Sequence, residues 1–109
     1  MAITVVDSGT KLADGTEQTL VSTTNSGHYT ATIDKSLMQA GDTLEIRYYK
    51  KVLAGSALLP IDKLTFIDAQ PADDKLCFVP PVTCPFGYKI TLKQTAGTNR
   101  NYEWSVETP

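Results

Sequence analysis

Along Thr43 to Lys51 the apolar side chains Leu44, Ile46 and Tyr48 alternate with Glu45, Arg47 and Tyr49. That period of two is what an extended strand shows when one face is buried and the other wet. The alternation recurs at Tyr29, Ala31 and Ile33, at Tyr88, Ile90 and Leu92 against Lys89, Thr91 and Lys93, and at Tyr102, Trp104 and Val106 against Glu103, Ser105 and Glu107. Thr, Val and Ile supply 28 of the 109 residues, and their stiff branched side chains suit a pleated sheet better than a helix. Four segments of matched period predict a layered sheet core.

Short glycine-bearing stretches separate these segments: Asp14-Gly15, Asn25-Ser26-Gly27, Ala54-Gly55-Ser56 and Ala96-Gly97-Thr98. Each holds a residue able to reverse the chain tightly, so consecutive strands are expected to pair antiparallel. The pattern predicts strands near 2–6, 17–23, 28–33, 43–53, 57–68, 75–79, 86–95 and 99–106, with one helical turn or loop at Lys35 to Ala40. Pro80-Pro81-Val82-Thr83-Cys84-Pro85 lacks amide donors at three positions and is expected to be a crossover between sheets or an edge. About eight strands with no room for helical crossovers predict an all-β, two-sheet antiparallel β-sandwich of immunoglobulin-like or jelly-roll type. The periodicity leaves those two topologies open. Eleven residues at about 3.3 Å each reach ~36 Å, more than such a sandwich needs to cover. Part of the hairpin 43–68 is therefore expected to project, and the N-terminal segment 1–8 is a second candidate for projection.

The length fits a single domain, 1–109. Hydrophobic residues make up 41% and charged residues 20%, a globular balance with no apolar run long enough to span a membrane. Ten basic and twelve acidic residues, net charge −2, give no broad cationic field for phosphate backbones, so nucleic acid is not an expected partner. The start MAITVVDSGT has neither the basic residues nor the apolar run of a secretory signal, which predicts synthesis without export. Cys77 and Cys84 are too far apart for a CxxC pair, and free thiols are expected in a reducing compartment, with a disulfide as the alternative outside a cell.

Catalysis needs a nucleophile with its base and orienter, a metal cluster or a phosphate loop, and the residues offer none of these; no enzyme activity, cofactor or metal is expected. His28 is the single histidine and reads as a partly exposed strand residue at a turn. Asp73 and Asp74 point to opposite sides of an extended chain and read as a solvated turn. Gly97 lacks the lysine and glycine spacing of a phosphate loop. Tyr48, Tyr88, Tyr102 and Trp104 follow the apolar alternation and are expected in the core. Tyr49 shares the polar face with Arg47 and Lys51, the one local concentration of positive charge, and this face is either solvated or a contact for an acidic protein surface. Aromatic exposure there would instead suit a glycan-binding sandwich.

The segments ADGTEQTLVSTTNSGHYTATID, LMQAGDTLEIRYYKKVLAGS and ITLKQTAGTNRNYEWSV resemble a group of small structural proteins from tailed bacteriophages. The shared elements are an opening DGTEQTL, a G-x-Y strand, an AGD-x-LE strand that continues to Arg, and a closing LKQTAGT-x-R with an aromatic-Trp pair. The resemblance covers most of Asp14 to Trp104, and LKQTAGTNRNYEW is its most specific part; the Cys77 to Cys84 loop departs from the pattern. It implies a virion protein of the head gene cluster, a decoration or cement protein on the capsid exterior. Its implied partners are the major capsid protein and further copies of itself, as a trimer or dimer, because repeated weak contacts gain strength through multivalency. An adaptor or fibre component would share the signature. Candidate contact residues are Arg47, Tyr49, Lys51 and Arg100.

Overall fold

Eight strands form where β-branched and alternating apolar residues cluster: β1 (Thr4–Leu12), β2 (Gln18–Thr23), β3 (Gly27–Asp34), β4 (Thr43–Lys50), β5 (Leu59–Ile67), β6 (Leu76–Cys84), β7 (Tyr88–Ala96) and β8 (Asn101–Thr108). The computed structural model describes residues 3–109. Among them there is no helix, and Lys35 to Ala40 runs as turns. The strands make two antiparallel four-stranded sheets, β1-β8-β3-β6 and β2-β7-β4-β5.

The order has a simple origin. β1 pairs with β8, β2 with β7, β3 with β6 and β4 with β5, all antiparallel. Those four pairings describe one long two-stranded ribbon with its tip between β4 and β5. Rolling the ribbon brings β8 against β3 and β7 against β4, which closes two sheets over one core. This is the jelly-roll winding, and it resolves the choice that periodicity leaves open.

Two expectations change. Every pair is antiparallel, yet only β4 and β5 are both consecutive and hydrogen-bonded neighbours. The other turns carry the chain from one sheet to the other, because a glycine turn fixes a reversal but not which layer the next strand joins. The proline-rich stretch is an edge, as one of its two expected readings had it, and what changes is its length: it continues the predicted strand 75–79 as β6 to Cys84. Pro80 and Pro81 fall where the β3 register jumps from Tyr29 opposite Val82 to Ala31 opposite Val79. Thr30 Oγ1 bonds the Val79 carbonyl at 2.7 Å across that bulge, so the missing amides disrupt little of the ladder.

β1 also runs far beyond the predicted 2–6. Met1 and Ala2, part of the segment 1–8 expected to project, lie outside the described residues; from Thr4 opposite Thr108, residues 4–8 belong to the edge strand beside β8. β4 is paired on both sides along Thr43–Lys50. What extends past the paired residues of the 43–68 hairpin is its tip, 51–58.

The alternating residues fill the space between the sheets. Tyr29, Ala31 and Ile33 of β3, Val79 of β6 and Val106 of β8 face Leu44 and Ile46 of β4 and Tyr88, Ile90 and Leu92 of β7, all buried. Tyr29 and Tyr88 stack across the gap with ring centroids 4.9 Å apart. Each fully buried aliphatic side chain stabilises the fold by about 1.5–3 kcal/mol relative to exposure. Ile90→Ala is expected to cost about 2–5 kcal/mol in urea unfolding, whereas Ile67→Ala, at an exposed position, is expected to stay within about 0.5 kcal/mol.

Cys77 and Cys84 both point inward from β6 and are buried as free thiols. Seven steps along the strand separate them by ~23 Å, beyond the reach of a disulfide, whose Cα atoms lie about 4.4–6.8 Å apart. Burial pushes the Cys77 thiol up to about 11 and raises Cys84 as well, so both sit protonated and unreactive at neutral pH. Adding reductant is expected to leave the thermal midpoint unchanged, and a thiol reagent should label both cysteines only after unfolding.

Candidate functional site

The polar alternates of β4 and β7 form the outer face of the β2-β7-β4-β5 sheet, and there Arg47 and Tyr49 are tied to their neighbours. Arg47 Nη2 meets Glu45 Oε1 at 2.7 Å, and Lys63 Nζ approaches the other Glu45 oxygen at 3.7 Å. Tyr49 is half-buried rather than freely exposed: its hydroxyl donates to Glu17, which also accepts from Thr91 Oγ1 at 2.7 Å. The Tyr49 bond, then that of Thr91, holds the Glu17 carboxyl below its ordinary value; burial, followed by the Glu17 bond, raises the Tyr49 phenol. Lys89 Nζ stands 5.1 Å over the Tyr49 ring, a cation–π contact. Lys51 is half-buried where the chain leaves β4.

Arg100 sits elsewhere. Its Nε donates to Asp42 Oδ2 at 2.8 Å, joining the β7–β8 turn to the chain just before β4. The buried Asp42 also accepts the amides of Gln39 at 2.9 Å and Thr98 at 3.1 Å. Gln94 completes the knot: Oε1 accepts from the Tyr102 hydroxyl at 2.8 Å and the Arg100 amide at 3.2 Å, and Nε2 donates to the Thr98 and Ala96 carbonyls. Gly97 has φ of +89°, and a Cβ there would collide with Asp42 Oδ1. The residues Gln94, Gly97, Arg100 and Tyr102 of LKQTAGTNRNYEW, with Asp42 of the AGD element, thus form a device that closes the fold. Sequence spacing gave no sign that positions 42 and 100 meet.

Large apolar side chains are exposed along β1, at Leu37 and Ile67, and in two further groups. At the β4–β5 tip Val52 is 71% and Leu53 64% exposed, with Leu59 and Ile61 exposed beside them. On the outer face of the other sheet, Leu76 and Phe78 of β6 are 57% and 58% exposed. That face also holds two adjoining depressions, of about 350 and 410 Å³, which share Asp34 and Glu103. Neither apolar group stands out in the sequence, because an apolar residue at a tip or on an edge strand looks like any core residue until the partner strands are known.

The remaining polar candidates have local roles. His28 is exposed beside Thr83, with its Nδ1 3.1 Å from the Thr83 hydroxyl. Asp73 and Asp74 lie on an exposed turn, where Asp74 pairs at 3.3 Å with Lys35. Lys35 is buried, donating to Gln70 Oε1 at 2.9 Å with its ammonium 4.0 Å over the Phe66 ring. Among the described residues no group of three His, Cys, Asp or Glu side chains could hold a metal ion. No helix of the described residues is long and apolar enough to cross a membrane. Comparison with models of known protein families, with curated proteins and with solved structures finds no match.

Burial alone would raise the Asp42 carboxyl, but the Arg100 guanidinium and the Gln39 and Thr98 amides more than offset it and hold the group below its ordinary value. A depressed folded-state value gives stability that is present above the unfolded value of 3.8 and is lost as pH falls through the folded one. Asp42→Ala is expected to cost about 3 kcal/mol at neutral pH by leaving Arg100 and the turn amides unpaired. Chemical denaturation from pH 7 to pH 2 should show a correspondingly smaller loss of stability in that variant than in the native chain.

Proposed function

We propose that this chain is a non-enzymatic virion structural protein of a tailed bacteriophage, binding the capsid exterior and stabilising it as a decoration or cement protein. In the molecule, the supporting observation is the β4–β5 tip, where Val52, Leu53, Leu59 and Ile61 remain exposed although the core between the sheets is filled. An apolar cluster on a rigid body is a contact waiting for a partner surface. Covering one such side chain contributes about 1.5–3 kcal/mol, and copies bound side by side on one particle add their contacts through multivalency. Lys50 and Lys51 flank the cluster and suit an acidic rim around an apolar seat on the major capsid protein.

The sequence resemblance across Asp14 to Trp104 points the same way. An adaptor or fibre component is separated from this reading by copy number and place in the particle. A glycan-binding module is less well supported: Tyr48, Tyr88 and Tyr102 lie in the core and Trp104 is packed against it, so these rings present no open platform for stacking a sugar.

Purified protein mixed with capsids lacking it is expected to co-sediment. Val52→Asp with Leu53→Asp should weaken that binding at least tenfold while leaving the thermal midpoint close to that of the native chain. Failure of the native protein to co-sediment, with its absence from purified virions by mass spectrometry, would falsify the reading.

A further inference from the structure

We propose that the two broad faces of the sandwich are complementary docking surfaces: the outer face of the β1-β8-β3-β6 sheet of one copy receives the outer face of the β2-β7-β4-β5 sheet of a second copy of this chain. The net charge of −2 conceals a separation of charge between the faces. Thr30 lies opposite Glu107 and Thr32 opposite Ser105, while Leu76 lies opposite Asp34. The outward side of this sheet therefore carries Asp34, Glu103 and Glu107. None of the three has a cation within 4 Å among the described residues.

The other face has the opposite sign. Arg47 lies opposite Lys63 and Tyr49 opposite Lys89, and Glu45 lies opposite Lys93. Four cations stand there against the carboxylates of Glu17 and Glu45, an excess of two positive charges. Stacked sheets are about 10 Å apart, close to the screening length at physiological salt, so each face presents its own sign to a partner.

Shape and apolar content fit the same contact. The molecule is a slab of 41 × 31 × 19 Å, and its broad sides are large enough for the ~800 Å² that each partner contributes to a standard interface. Leu76 and Phe78 stand exposed on the acidic face and Ile67 on the basic one. The depressions sharing Asp34 and Glu103 are walled in part by Leu37 and Leu76. They suit a lysine whose stem lies on apolar surface while its ammonium meets a carboxylate; Lys63, with half its side chain exposed, is such a group.

The faces point in nearly opposite directions, so the contact is heterologous and extends as a stack. It differs in this from the closed dimer or trimer that the phage resemblance implies, and it does not rest on capsid binding, which is read on capsids and stands or falls separately. The test is analytical ultracentrifugation across concentration at 50 and 500 mM NaCl. For the native chain the average mass should rise beyond two copies without a plateau at low salt, and association should weaken at least tenfold at high salt.

Glu103→Lys with Glu107→Lys makes both faces positive, and Lys63→Glu with Lys93→Glu makes both negative. Each variant should be monomeric alone at 50 mM NaCl, and an equimolar mixture should assemble. Glu103→Gln with Glu107→Gln preserves size and shape and should weaken self-association at least tenfold if a reversed variant fails to fold. A native chain that stays monomeric at low salt, a salt-insensitive plateau at two or three copies, reversed or Gln variants that associate like the native chain, or folded reversed variants that do not assemble when mixed would each overturn the proposal.

Discussion

A two-stranded ribbon with one apolar side cannot stay open in water, and in this chain the whole architecture follows from the way that side is covered. The inward rows of β3, β4, β7 and β8 hold the alternating Tyr, Ile, Leu and Val residues. Only by rolling, so that β8 meets β3 and β7 meets β4, do those rows face one another. The ladder added by the roll brings no apolar residue into the core by itself. It fixes which residues oppose each other, and the stacked Tyr29 and Tyr88 rings mark where the two layers interlock.

The roll places the β7–β8 turn beside the chain that enters β4, and this corner is held by polar rather than apolar contacts. Asp42 gathers a guanidinium and two backbone amides, and Gln94 binds the turn that carries Arg100. A buried carboxylate is tolerated there because three hydrogen bonds within the knot, one of them from a guanidinium, replace those it loses to water. Gly97 lets the turn approach: with φ of +89° and Asp42 against it, a side chain has neither the backbone conformation nor the space. The stretch LKQTAGTNRNYEW is thereby explained as the means of closing the roll. The surfaces available for partners lie away from it, at the apolar tip and on the two broad faces.

Much of this was legible in advance, though unevenly. Strict alternation at 43–49 and 88–93 located β4 and β7, the central strands, because both of their sides are paired and one face is wholly buried. β1 was mostly missed, since an edge strand with exposed residues on both faces carries no period of two. Pro80 and Pro81 cut the predicted β6 short at 79 and left the stretch after it open between a crossover and an edge, because proline removes ladder donors and only the bulge opposite β3 makes that harmless. Tyr49 lay on the polar face as expected, but the carboxylate that engages it, Glu17, is 32 residues away and belongs to a segment that the roll brings alongside.

By itself the sequence determined an all-β sandwich with its central strands in place, because side-chain alternation and β-branching act locally on each strand. Tertiary structure alone decided the jelly-roll order, the joining of Asp42 to Arg100, and the gathering of Asp34, Glu103 and Glu107 on one face with Arg47, Lys63, Lys89 and Lys93 on the other. The physical reason is common to all three. A strand's own period says which way its side chains point, whereas neighbours across a sheet are chosen by the roll of the whole ribbon, between residues as far apart in the chain as 42 and 100.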